Sequence, residues 1–230
     1  MTPDQRREAI VAAALDVAVR KGLASTTVRD VAAEMGTSSG LIHHYFDSMD
    51  DVLAAAFERV ALQDLELSAR PMAAAPSAVE ALAIFFRTYT PADKDWAFQL
   101  WLDAWAEAAR RPALQATSRR LNLEWQGLLE RTIRRGVADG SFTCADPSGA
   151  AWRILSILDG LALQVVAHGT TVTRERVVAW STGYTEVELR LAPGSLSAGV
   201  QAGGVEAQAR GAKPARGGPA ARPAEPTGSR

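Results

Sequence analysis

The chain is poor in cysteine, in strand-like alternation and in long apolar runs, and each shortage narrows what it can be. Cys144 is the only cysteine among 230 residues. That excludes a disulfide framework and a four-thiolate metal site. No stretch alternates apolar and polar residues between turn clusters, so a sheet is not expected. No uninterrupted run of about 18 apolar residues occurs, and neither a membrane-spanning helix nor a membrane partner is expected. The stretch MTPDQRREAIVAAALDVAVRKG has charge at both ends and Asp16 in its middle, unlike a secretory leader. The expected compartment is the cytoplasm. Gly-rich phosphate loops, HExxH and a Ser/His/Asp signature are also missing. No cofactor or metal is expected, and the chain does not read as an enzyme. Charge of one sign is lacking as well: the net is -1.

What remains is helix, giving an all-α fold class. Ile10, Ala13, Ala14, Val17 and Ala18 share one face of a first helix over Pro3 to Lys21, ended by Gly22. Thr27 and Asp30 have capping-box spacing and open a second helix through Met35, stopped by Gly36. Ser38 can cap a third short helix to Tyr45. Ser48 and Asp51 open a long helix to about Ala69, where Pro71 and Pro76 break the pattern. Further helices are expected over about 77–89, 93–110, 112–138, 147–168 and 174–191. The stretch 193–230 is dominated by Gly, Pro and Ala and lacks aromatics. It cannot offset the entropy of ordering itself and reads as a disordered tail.

The segment Thr26 to Leu53 carries the chemistry. Two short helices joined at Gly36-Thr37 have the sequence form of a helix-turn-helix. Val28, Val31, Ala32 and Met35 face inward from the first, and Leu41 and Phe46 are candidate anchors of the second. A helix of about 8 residues is roughly 12 Å long, which suits a major groove about 12 Å wide. Gly40 offers a close backbone approach. Two packed helices with no DNA role would share this spacing.

The segment resembles the DNA-binding half of TetR/AcrR-family transcriptional regulators. Thr27, Val31, Ala32, Met35, Gly36, Ser38, Gly40, His44 or Tyr45, Phe46 and Leu53 fall in step with that family's pattern. The wording SSGLIHHYF is most similar to the choline- and betaine-responsive repressor subgroup. WLDAWAEAARRPAL and ILDGLALQ resemble that subgroup's effector half. The resemblance implies a helical homodimer, with a helix-turn-helix domain at 1–47 and a ligand-binding and dimerisation domain at 48–192. It implies double-stranded DNA, as a palindromic operator, and a small-molecule effector as partners. Three residues depart from the pattern: His43 stands where Tyr is common, Met49 where a phosphate-contacting Lys is common, and Thr37 at a usually apolar turn position.

The expected DNA-binding set is Thr27, Arg29, Thr37, Ser38, Ser39, Gly40, Leu41, His43, His44, Tyr45 and Ser48. Thr27, Tyr45 and Ser48 would hold phosphates, while Ser38, Ser39, Leu41 and His43 would approach base edges. Residues 1–47 carry Arg6, Arg7, Arg20, Lys21 and Arg29 against six acids. A positive face then requires Arg6, Arg7 and Arg29 to cluster.

All six tryptophans lie between 96 and 180. The expected ligand-binding set is Trp96, Trp101, Trp105, Trp125, Trp152 and Asp159. An aromatic stripe also serves as plain core, and both readings stand. Asp103, Asp159, Gln164 and His168 are polar residues within apolar stretches. Asp159 is either a ligand-orienting group or a structural partner of Arg153 or of another chain. The apolar helix 147–168 and the last helix form the candidate dimer surface. The reading is thus a ligand-responsive regulator, a repressor released by its effector, with the helix 49–69 coupling the halves. An enzyme, and a helical binding protein without DNA affinity, are the competing classes.

Overall fold

The computed structural model describes residues 1–88, 95–169 and 171–197. Among them no strand forms, and nine α-helices have both ends described. These are α1 (Pro3–Lys21), α2 (Val28–Glu34), α3 (Ser39–Tyr45), α4 (Met49–Ala74), α5 (Ala78–Arg87), α6 (Asp95–Ala108), α7 (Pro112–Ala138), α8 (Pro147–Val166) and α9 (Arg174–Glu188).

Local chemistry sets the ends. Thr2 and Gln5 form a reciprocal capping box at α1, with Pro3 in its first turn. Thr27 and Asp30 do the same for α2. The end of α2 is a Schellman closure: Thr37 N–H donates to Ala32 O (2.9 Å) and Gly36 N–H to Ala33 O (3.1 Å). Gly36 sits at φ 62°, where a side chain is disfavoured. That turn aims α3 across α2.

Two cores result. In the head, Ile10, Val11 and Ala14 of α1 meet Val31 and Ala32 of α2, Ile42 and Phe46 at α3, and Val52 and Ala56 of α4. In the body, α7 runs through the middle, packed on α4, α5, α6 and α8, and α9 lies on α8. Phe57, Phe85, Phe86, Trp101 and Trp125 are its large members. Leu15 and Met49 pack against both cores. Met49 therefore fills the seam between head and body rather than extending to solvent.

Four expectations are corrected. Ile42 (1% exposed), not Leu41, is the first anchor of α3; with α3 starting at Ser39, Ile42 and Phe46 form the i,i+4 pair that faces α1 and α4. Pro71 does not end α4, which continues to Ala74. The hydrogen bond lost at Pro71 is offset by burying Met72 and Ala75 in the body core. Residues 193–197 of the expected tail are packed on the body: Leu196 is fully buried, and Gly194 and Leu196 N–H donate to the Glu186 carboxylate (2.9 and 2.8 Å). Residues 198–230 lie outside the described residues. Finally, α8 is by length and composition alone long and apolar enough to cross a membrane. An unbroken-run criterion misses it because Arg153 and Asp159 interrupt the run.

Candidate DNA-reading face and effector cavity

The outer side of the head carries much of the expected DNA-binding set. Gly40, His43 and His44 are exposed on α3, as is Ser38 just before it, whose hydroxyl makes no cap hydrogen bond, contrary to expectation; Ser39, Leu41 and Tyr45 are half-buried along its flanks. Thr37 is half-buried in the turn, and Arg29 is exposed on α2. Ile42 and Phe46 hold the opposite side, so the exposed row stands on a fixed base. The His44 and Tyr45 rings meet edge to face at 5.0 Å. Arg7 Nη1 donates to Tyr45 O (2.9 Å), and its guanidinium lies 4.0 Å from the Phe46 ring centroid. A cation at the last carbonyls of α3 favours that helix end and grips the ring below it.

Thr27 and Ser48 are exposed, but both hydroxyls are engaged locally. Thr27 Oγ1 accepts from Asp30 N–H (3.2 Å) and donates to Asp30 Oδ2 (2.8 Å). Ser48 Oγ accepts from Asp51 N–H (3.2 Å) and donates to Asp51 Oδ2 (2.6 Å). The donors expected to meet phosphate are therefore spent on helix caps. The Lys21 ammonium, with Thr27, holds the Asp30 carboxyl down to about 2, so this acid is charged at any working pH. Arg20 pairs with Glu34, and Lys21 with Asp30 (2.6 Å). Arg7 is committed to α3. Of the three arginines expected to cluster, Arg6 and Arg29 make no ion pair among the described residues.

The body contains a cavity of ≈ 100 Å³, walled by α4, α6, α7, α8 and α9. Trp101, Trp105 and Trp125 line it, with Phe98 and the aliphatic Leu155, Val165 and Val177. Trp101 and Trp105 stand 5.7 Å apart by ring centroids, Trp101 stacks edge to face on Phe57 (4.8 Å), and Trp105 contacts Phe98 (6.1 Å). Asp159 is the acid from α8 in this wall, and burial pushes its carboxyl up to about 7. Arg153, a candidate partner, instead pairs with Glu188 (2.5 Å) and Asp146 (3.6 Å). Four of the six expected ligand-binding residues thus come together.

Trp96 and Trp152 do not join them. Trp96 lies five residues before Trp101, about 140° round the helix, and is 44% exposed. Trp152 lies about 10 Å along α8 from Asp159, on a surface depression with Ile157 and Tyr184. Asp103 and His168 also lie outside the cavity wall. Asp64, Ser68, Asn122, Asp95 and Arg174 line it and escaped the sequence reading. Buried Ser68, on the apolar side of α4, was the one sequence signal available. Arg174 pairs with Asp95 across the wall, joining α9 to α6.

Head and body are tied at α6. The Asp103 carboxylate accepts from Leu23 N–H (3.2 Å), at the loop that ends α1. Arg111, beside the end of α6, donates to Glu107 (2.9 Å) and to Asp50 in the first turn of α4 (2.6 Å). Those two carboxylates, Glu107 foremost, raise the guanidinium pKa above its ordinary value.

Residues 10–56 match the family described as "Bacterial regulatory proteins, tetR family", and residues 78–190 match "BetI-type transcriptional repressor, C-terminal". The HTH-type transcriptional regulator BetI of Cronobacter sakazakii is 27% identical over 197 residues, covering 82% of this chain and 93% of that protein. BetI of Rhizobium meliloti is 29% identical over 194 residues, covering 80% and 90%. Among solved structures, a transcriptional regulator from Pseudomonas aeruginosa superposes with TM-score 0.72 at 25% identity, covering 85% of this chain and 94% of that one. A regulator from Saccharomonospora viridis, solved in complex with choline, gives TM-score 0.71 at 24% identity, covering 80% and 96%.

Proposed function

The chain belongs to the TetR family of bacterial regulatory proteins; from that premise we propose that it is a ligand-responsive transcriptional repressor rather than an enzyme, and which of its parts read DNA, bind effector and pair two copies. The head at 1–47 reads double-stranded DNA. The single observation that carries this is the exposed row Ser38, Gly40 and His43, flanked by half-buried Ser39 and set on Ile42 and Phe46. Ser39 and His43 meet base edges, and half-buried Leu41 lies at the rim where a thymine methyl would sit. Tyr45, His44, Arg29 and Thr37 flank the row toward the phosphates. Thr27 and Ser48 act there through the N-termini they cap rather than as free hydroxyls. With Arg20 and Lys21 ion-paired and Arg7 held on α3, Arg6 and Arg29 are left for phosphate, so non-specific affinity is modest and weakens with salt.

Two copies pair through α8 and α9 of the body at 48–192. Trp152, Trp180 and Val187 are exposed on these helices. At Gly160 and Gly183 a methyl would meet nothing, leaving room for a second helix to come close. A two-fold pair presents two α3 helices to successive major-groove faces, which favours a palindromic operator. Working on chromosomal DNA places the protein in the cytoplasm.

The cavity takes the effector. Its three indoles and the Asp159 carboxylate suit a small organic cation of the choline type. Effector binding favours a dimer whose reading heads are wrongly spaced, and DNA is released. Gel-shift titration of genomic duplex fragments, with and without choline, tests this. A specific band that choline removes supports it, and a band that never forms refutes it.

A further inference from the structure

With the cavity taken as the cation site proposed above, Asp159 is the unpaired acid in its wall. Among the described residues its carboxylate makes no hydrogen bond and no ion pair. The charged groups that share the wall come from three other helices. Asp64 is on α4, Asp95 on α6 and Arg174 on α9, while α7 contributes only Asn122 and Trp125. Arg174 is taken by Asp95, and Asp64 is engaged as well. Among the described residues no lysine or histidine lines the wall, and His168, beyond the end of α8, is exposed. Among the described residues the one cation in the wall, Arg174, is therefore already neutralised, and the acids outnumber it.

An ionised carboxylate in such a place, half-buried among indoles and without a counter-charge, is disfavoured. We propose that a cationic effector enters this cavity with release of the Asp159 proton to solvent, so that occupancy depends on pH as well as on effector concentration. The empty cavity holds a neutral carboxylic acid beside the indoles. The arriving cation supplies the missing counter-charge, the O–H bond breaks, and the carboxylate pairs with the cation. Burial, which pushes the empty-site carboxyl up to about 7, places the change in the neutral range. The linkage makes the repressor less responsive to effector in acid and fully responsive above neutrality.

The test is titration calorimetry of the intact dimer with choline chloride at pH 6 and pH 8, each in two buffers of different ionisation enthalpy. The expected result is a Kd about tenfold lower at pH 8 than at pH 6, with close to one proton released at pH 6 and few at pH 8. Asp159→Asn should bind weakly with a flat profile. The uncharged isostere 3,3-dimethylbutan-1-ol should show no gain at pH 8. Equal choline Kd at both pH values overturns the linkage while leaving the cation site standing. No choline binding at either pH overturns both. A pH slope that survives in Asp159→Asn assigns the proton to another group and overturns the proposal.

Discussion

The Asp103 carboxylate on α6 accepts a hydrogen bond from Leu23 N–H at 3.2 Å, joining the loop that ends α1 to the helix that carries Trp101 and Trp105. Gly22, next to this bond, has φ 82°, and a Cβ there would stand 3.3 Å from Asp103 Oδ2. The glycine thus provides both the turn and the close approach. α4 spans both cores, as the sequence reading of a coupling helix over 49–69 required. The Asp103 contact gives α6 a second, direct route to the head.

Asp103→Ala should leave operator affinity nearly intact and uncouple release from effector binding. The effector concentration for half-release in a gel shift should rise about fivefold, equivalent to about 1 kcal/mol of coupling. The effector Kd measured without DNA should stay unchanged. A parallel loss of both would assign Asp103 a merely structural part.

Ile42→Ala should destabilise the head by about 2–4 kcal/mol in urea denaturation, because it opens a cavity under α3. Leu41→Ala should cost under about 1 kcal/mol, since Leu41 is only half-buried. Equal costs would contradict the register assigned to α3.

Leu41→Glu puts a charge beside phosphates without touching the core. It should abolish operator binding while sedimentation still reports a dimer. Tyr45→Ala should weaken binding at least tenfold, through the lost contact at the end of α3.

Asp159 has a stability signature as well. Its carboxyl is raised from an ordinary 3.8 to about 7, so the folded state holds the proton more tightly than the unfolded state. Folding stability is then highest below pH 4 for this group and is lost as pH rises through 7. The full difference corresponds to about 4 kcal/mol. Relaxation and water entry reduce it, and Asp159→Asn should be about 1–2 kcal/mol more stable than the parent at pH 8 and equal to it near pH 4. Thermal melts at the two pH values measure this.

Much of this architecture is legible in the sequence because short-range chemistry writes it. The caps at Thr2, Thr27, Ser48 and Thr173 and the stop at Gly36 place helix ends within a residue or two. Pro71 misled because the loss of one backbone bond is a local cost, whereas the burial of Met72 that offsets it is tertiary. Leu41 and Ile42 are adjacent apolar residues, and only the start of α3 decides which points inward. At the cavity, Trp101, Trp105 and Asp159 were visible as helix-spaced or misplaced side chains. Asn122 and Arg174 were not, because each comes from a helix whose rotation against α8 is set by packing. Trp96 and Trp152 look the same as the others in composition; Trp96 is turned away from the cavity, and Trp152 lies too far along α8 to reach it.

The central claim is that the outward row of α3 reads base sequence. Its most direct measurement is selection of bound duplexes from a random pool by the wild-type dimer and by a Ser39→Ala/His43→Ala variant of equal stability. The account predicts that the wild type enriches one palindromic sequence and that the variant loses it while retaining salt-sensitive, sequence-blind binding. Enrichment of the same palindrome by both would contradict it.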